Sequence, residues 1–526
     1  ESIKISCKLA IDLNGYTLAG TDTAMGSFGL INIQPDAELA INDSSKDGSG
    51  AITLKANQNR KWNAYSSVIS NQRGKLTVNG GTIEHLGGTD MAYGIDNLTN
   101  GTGTYAETIV NGGTVKSTYR AIRQFLNGTD AQNILTVNGG TIEGTNRSIW
   151  MQDPSINANS GTLTVSDKAT LVGNVYLYVT SGSTQWPVDI SIADDAFADG
   201  YTVMTANVPK GTKVDVVGGY WGISDASTSY VAAIKGVSYT SLQDAINAAK
   251  PGDTVTLLAD CAENVTVAQA EGVKITIDGN RKTMTGSITV DGKSQRYDTA
   301  ALTIKNVNFD AVGISADACI NLGVRGNSNT RYTNHVTVQD CTFTYSGASN
   351  QDKVAVKSYT GGDKNLQVIR CTADNTMHSL LQVTNVEEGL VVDSCTVKSK
   401  SGINLNSTAG AEIKNSTIEV SGYAVRIGAG SGGSSGKITL TNNVLKTNNT
   451  EGYAAVVIRG EAVTKVDLAM TRNAVSGNTH ISGTVAETKI SANANYWDGK
   501  AAPVVSGTAV EVTNYYSDMA RTNLVT

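Results

Sequence analysis

The chain has 526 residues, with 41 Lys and Arg against 47 Asp and Glu, for a formal net charge of −6. That balance argues against nucleic acid or an anionic membrane as the main partner. No apolar run reaches the roughly 18 residues that a membrane-spanning helix needs. The 55 Gly, the mere 6 Pro and the many Val, Ile, Thr, Asn and Ser suit short strands joined by polar turns.

Residues 1–5 already alternate as a strand, and neither a signal peptide nor a cell-wall anchor is visible, so the chain reads as an excerpt of a longer protein. The strongest pattern of the first half is a repeat. Val78-Asn79-Gly80-Gly81-Thr82-Ile83 returns as Val110-Asn111-Gly112-Gly113-Thr114-Val115 and as Val137-Asn138-Gly139-Gly140-Thr141-Ile142, with the Asn positions 32 and 27 residues apart. Each copy is strand, turn, strand, the Gly pair supplying a positive φ. A unit this short cannot bury its own apolar side and must stack on copies of itself, which predicts a solenoid of parallel rungs.

Between the copies lie Tyr93-Gly94-Ile95-Asp96-Asn97, Arg120-Ala121-Ile122-Arg123-Gln124 and Arg147-Ser148-Ile149-Trp150-Met151, whose Ile residues are 27 apart twice. With Ile inward, period-two alternation sends Asp96, Arg123 and Trp150 outward in a column, and the next rung adds Tyr176 and Tyr178. Aromatic rings and charges on one rigid face make a sugar-binding platform; the competing reading is a face covered by other structure. Residues 183–235 lose the repeat and read as strands that close the coil, with Trp186-Pro187-Val188 opening them.

A sharper signal follows. Ser241 is an N-cap candidate, Leu242, Ala245, Ile246 and Ala249 share a helical face, and Pro251-Gly252 ends the helix. The second half then repeats a polar residue followed by Cys or a small substitute, at Cys341, Cys371, Cys395, Ser416 and Asn443, spaced by 30, 24, 21 and 27 residues. Val307 holds the Cys place in an earlier copy. The three Cys should stack as buried free thiols, in preference to a bridge or a metal site. The matching strands place Gln382, Asn404 and Arg426 outward beside Lys357, Thr384, Asn406 and Arg459. This second face is polar and cationic, suited to an anionic glycan or to water.

Residues 236–258 resemble the N-terminal cap of right-handed parallel β-helix proteins of the pectate-lyase-like superfamily, in particular the tandem modules of large surface proteins of Gram-positive bacteria. Asp12-Leu13-Asn14-Gly15-Tyr16-Thr17-Leu18 matches a rung motif of those modules, and Asp278-Gly279-Asn280 is a degenerate copy. Asn495-Tyr496-Trp497 resembles their closing element, with Asp498 interrupting the match. The resemblance implies an all-β chain of two tandem right-handed parallel β-helices: residues 1–182, a closing and linking stretch 183–235, and residues 236–526 with a cap helix at about 241–250. The superfamily includes lyases, hydrolases, adhesins and phage spikes, so fold alone does not assign activity.

Enzymes of this fold, as the resemblance implies, need calcium-binding carboxylates with a basic Lys or Arg, or paired Asp with a Gly-His-Gly. No Gly-His-Gly occurs. His85, His335, His378 and His480 share no partner and read as surface side chains. Asp194-Asp195 and Glu387-Glu388 read as solvated acidic turns. No catalytic residue, metal ligand or cofactor is assigned, and calcium has no EF-hand loop or Gly-Gly-x-Gly-x-Asp repeat behind it. The expectation is a non-enzymatic adhesin or stalk region at a bacterial surface, binding a glycan or glycoprotein. The rivals are a polysaccharide lyase or hydrolase, using Arg426, Lys357 or Arg123 with Asp96, and a phage tail spike.

Overall fold

The structure is a computed structural model. It describes residues 2–526 apart from 22–27, 56–65, 88–90, 129, 154–159, 180–187, 208–211, 226–228, 292–298, 315–316, 324–331, 348–351, 359–361, 384–385, 407–409, 430–436, 449–451, 461–465, 484–488 and 508. The chain is almost entirely β. It forms two compact units, Glu1–Ser229 with Lys235–Ser238, and Tyr230–Ile234 with Tyr239–Thr526.

In the first unit successive strands fall in turn on three parallel sheets, so the chain winds as a coil of stacked rungs. The first sheet runs from Ile3–Ile5 through Ser66–Gln72, Ala92–Asn100, Arg120–Asn127, Arg147–Asp153 and Val175–Val179 to Val203–Ala206. The second begins at Lys8–Asp12 and the third at Thr17–Thr21. Ile69, Ile95, Ile122, Ile149 and Val175 stand in register and fully buried. Ile52, Ile83, Val115, Ile142 and Leu171 do the same in the third sheet. β-Branched side chains fit such columns because their restricted rotamers pack on a pleated surface, and each contributes about 1.5–3 kcal/mol on burial.

The Val-Asn-Gly-Gly repeat is the corner between the second and third sheets. Gly81, Gly113 and Gly140 have φ of 77°, 78° and 85°. A Cβ on Gly113 would lie 2.3 Å from the Gly81 carbonyl oxygen of the preceding rung, so only Gly fits. The Asn before each pair builds a ladder of amides: Asn79 donates to Asn42 at 2.8 Å, Asn111 to Asn79 at 2.8 Å and Asn138 to Asn111 at 2.9 Å.

The stretch expected to close this coil after residue 182 divides in two. Val188–Ala193 and Val203–Ala206 still pair in parallel as rungs. Among the described residues, Thr212–Val217 and Tyr220–Asp225 then leave the pattern as an antiparallel hairpin on the end of the second sheet, and Ala232–Ile234 pairs antiparallel with Thr254–Leu257 of the second unit. Trp186 and Pro187 lie outside the described residues. Asp194–Ala196 is a 3-10 turn, and Asp194 accepts a hydrogen bond from the Trp221 indole at 2.8 Å.

The second unit repeats the three-sheet winding. Its helix spans Leu242–Ala248 and packs Leu242, Ala245 and Ile246 into the core against Ala232–Ile234, Thr254–Leu257 and Val265–Ala268. Ser241 caps it, its Oγ accepting from the Asp244 amide at 3.3 Å. The helix stops short of residue 250: Ala249 is extended, and Lys250 precedes Pro251, whose ring disfavours helical backbone in the residue before it. Glu263 reaches the same end and accepts from the amides of Leu242 at 2.7 Å and Gln243 at 3.2 Å, and from the Ser241 hydroxyl at 2.8 Å.

The polar-then-Cys repeat is likewise a corner. Asp340, Arg370, Ser394, Asn415 and Asn442 adopt left-handed backbone, and the next residue points inward. Cys341, Cys371 and Cys395 are buried and unbridged, as are Cys261 and Cys319. Beyond them the ladder turns polar. Ser416 Oγ accepts from the Cys395 amide at 3.1 Å, Asn443 Oδ1 from the Ser416 amide at 2.9 Å, and Asn473 Oδ1 from the Asn443 amide at 3.0 Å. Val386–Glu388, expected as a turn, is a strand: inter-rung loops stack as a small parallel sheet with Tyr332–Asn334 and Gly362–Lys364, with a register shift at Asp363 and Lys364.

Candidate functional site

The long strands of the first unit's first sheet bring together the expected platform and correct it. Asp96, Arg123, Trp150 and Tyr176 stand in one register column. Tyr178 belongs to the neighbouring column, behind Phe125 and Gln152.

Asp96 and Arg123 are not open to a ligand in the way alternation suggested. Asp96 is 0% exposed and Arg123 6%. Arg123 clasps the carboxylate with Nε at 2.7 Å and Nη2 at 2.6 Å, and its guanidinium lies 4.7 Å from the Tyr93 ring centre and 4.8 Å from that of Phe125. A paired, desolvated ion pair between aromatic rings is a structural brace. Trp150, Tyr176 and Tyr178 stay partly exposed.

Two arginines that alternation placed inward join them. Arg120 stacks 3.9 Å over the Trp150 ring and 4.6 Å over Tyr119. Arg147 lies 3.7 Å over Tyr176 and 5.5 Å from Trp150. Trp150 also stacks on Tyr93, with ring centres 6.4 Å apart. The strand bends just before the Ile column: Ala121 belongs to the core although its neighbour Ile122 does too, and a Cβ on Gly94 would meet Val115 at 2.8 Å. Two consecutive inward residues shift the parity, so Arg120 and Arg147 emerge outside. The small residues Gly94, Ala121 and Ser148 at that position are the signal that could have revealed it. Burial, then the charge of Arg120, holds the Arg147 pKa below its ordinary value.

The second face is less continuous than expected. Lys357, Gln382, Asn404 and Arg426 share a column that next meets Val457, while Arg459 pairs with Gly428 and is exposed. Lys357 is bound to Asp317 at 2.8 Å, Asn404 is buried, and Arg426 lies 5.9 Å from the Tyr423 ring centre. Thr384 lies outside the described residues. The second unit also holds a polar cleft of about 270 Å³ that includes Lys398, Lys400, Glu419, Ser421 and Asn448, drawn from the ends of successive rungs.

Two histidines expected at the surface are buried. His85 meets Ser66 Oγ at 2.7 Å inside the first coil. His480 stacks on the buried Trp497 at 5.6 Å and accepts from the Val504 amide at 3.0 Å. Burial, then the charge of Lys500, pushes the His480 pKa down to about 4, so the ring is neutral at pH 7. Among the described residues no three His, Cys, Asp or Glu side chains gather as metal ligands would, and no helix is long and apolar enough to cross a membrane.

No protein-family model matches the chain, and no curated protein is found to be similar to it.

Proposed function

We propose that this chain is a non-catalytic, glycan-binding region of an extracellular bacterial surface protein, with the sugar seated on Trp150, Tyr176 and Tyr178. The observation that carries this reading is the aromatic array itself. Three partly exposed rings stand on two adjacent parallel strands, and the intervening arginines hold Trp150 and Tyr176 in place. Rigid rings offer flat apolar faces to pyranose C–H groups at little conformational cost. The partner is a glycan or a glycan-bearing surface protein. The likeness of residues 236–258 and 12–18 to pectate-lyase-like β-helix modules of Gram-positive surface proteins supports the extracellular setting.

A lyase or hydrolase reading drew on Arg426, Lys357 or Arg123 with Asp96; Lys357 is bound to Asp317, and Arg123 and Asp96 are occupied with each other. Their mutual pairing leaves neither as a free base or acid. A glycan array probed with the full chain, beside assays for new reducing ends and unsaturated uronates on every glycan bound, tests the proposal. It predicts binding without product. Product from any bound glycan would overturn the non-catalytic part, and an array with no bound glycan would overturn the binding part.

A further inference from the structure

Arg120 and Arg147 occupy the same register position on adjacent rungs, so two guanidinium groups sit side by side. Neither has a carboxylate partner among the described residues, and Asp96, in the adjoining column, is clasped by Arg123. Arg120 is 8% exposed, yet its buried Nε has no acceptor, and its one hydrogen bond is a long 3.5 Å contact from Nη1 to the Tyr93 hydroxyl. The buried indole N–H of Trp150, against which Arg120 stacks, has no acceptor either. Native structures seldom leave such donors unsatisfied, because each forfeits the hydrogen bond it had in water.

Like charges one rung apart also repel, and cross-strand like pairs are ordinarily avoided. Stacking on Tyr119, Trp150 and Tyr176 offsets part of that cost and fixes both guanidinium planes. A guanidinium stacked by its face keeps its N–H edge for a planar or tetrahedral oxyanion. What is missing from this cluster is negative charge.

We infer that Arg120 and Arg147 form an anion subsite beside the aromatic platform, and that the glycan recognised there carries a carboxylate or sulfate group. The inference rests on the glycan-binding reading above and names its ligand class. The anion neutralises the pair while the neighbouring sugar ring lies on Trp150 or Tyr176. Arg147 is the group to test, because it is partly exposed while Arg120 is integral to the packing.

The experiment measures the affinity of the full chain for oligosaccharides that differ only in carrying a sulfate ester, a uronate carboxylate or neither. Arg147→Gln is compared with wild type, and Arg147→Lys is the charge-preserving control. In a parallel arm, inorganic sulfate is titrated against chloride at matched ionic strength while amide hydrogen exchange over Arg120–Asn127 and Arg147–Asp153 is followed in each variant. The subsite predicts that an anionic member binds more tightly than its neutral parent. Arg147→Gln should weaken that member by about tenfold or more, the loss of one charge-assisted contact, and weaken the neutral parent far less, since that sugar loses only the support Arg147 gives the Tyr176 ring. Arg147→Lys should lose less. Preference for sulfate over uronate, or the reverse, identifies the group.

Neutral and anionic members bound equally well, with Arg147→Gln silent, would overturn the subsite while leaving glycan binding intact. Sulfate stabilisation that Arg147→Gln abolishes, with no glycan bound, would keep the anion site and sink the glycan reading instead.

Discussion

Replacing Asp96 by Ala separates structure from recognition on the first unit's outer face. The carboxylate is fully buried and accepts two short hydrogen bonds from a guanidinium that is 6% exposed. Asp96→Ala therefore strands a cation between the Tyr93 and Phe125 rings with nothing to neutralise it. Breaking a buried pair from one side costs about 3–5 kcal/mol. That corresponds to roughly a 150-fold to 5,000-fold rise in the local opening equilibrium. Stacked rungs need not unfold as one step, so a single melting temperature is the wrong readout. Amide hydrogen exchange by mass spectrometry on the full chain reads the opening locally. The amides of Ala92–Asn100 and Arg120–Asn127 should lose protection by about that factor. Those of the second unit should be unchanged. The double change Asp96→Leu with Arg123→Met should restore most of the protection, because a buried ion pair and an apolar pair of similar volume are close in free energy. Exchange within about threefold of wild type in Asp96→Ala, less than 1 kcal/mol, would mean that the pair is not a brace and that the face is open, as alternation alone suggested.

At the second unit's helix, burial raises the Glu263 pKa, but the bonds from Leu242, Ser241 and Gln243 outweigh it and leave the carboxyl below its ordinary range. Its stabilising contribution is thus present above the unfolded-state pKa and is lost as pH falls through the lower folded value. Glu263→Gln should cost about 1 kcal/mol of helix protection at neutral pH and flatten its acid dependence; unchanged exchange over Leu242–Ala248 would refute the capping role. Native-state alkylation should label Cys7, the one exposed thiol among the six, whereas Cys341, Cys371 and Cys395 should react only after denaturation without reductant. A bridge between any of these three, or their rapid native labelling, would contradict the buried thiol ladder.

Much of this architecture is legible in the chain because a coil repeats its constraints. The 27-residue spacing of Ile95, Ile122 and Ile149 is the in-register core column itself, and Asn79, Asn111 and Asn138 mark a corner where backbone from the preceding rung excludes any Cβ. The polar residue before each Cys proves to be the left-handed corner residue. The candidate site was harder to read for two physical reasons. Alternation reports which side of a strand a residue faces, not how much solvent reaches it. Asp96 and Arg123 face outward and are still buried, because Tyr93 and Phe125 pack over their pairing. Alternation also fails where a strand bends. Ala121 and Ile122 both enter the core, which returns Arg120 to the outside and hides the arginine pair from a period-two count. His85 shows the complementary limit: one polar side chain with a buried hydroxyl partner is indistinguishable in sequence from a surface one.

The most direct measurement of the central claim is the affinity of Trp150→Ala, in the full chain, for whichever glycan the array identifies, paired with hydrogen exchange over Arg147–Asp153 and its neighbouring strands. If the rings are the platform, binding falls by about 1–3 kcal/mol while the strands Arg120–Asn127 and Val175–Val179 keep most of their protection. Wild-type affinity in Trp150→Ala would place the ligand elsewhere and contradict the account.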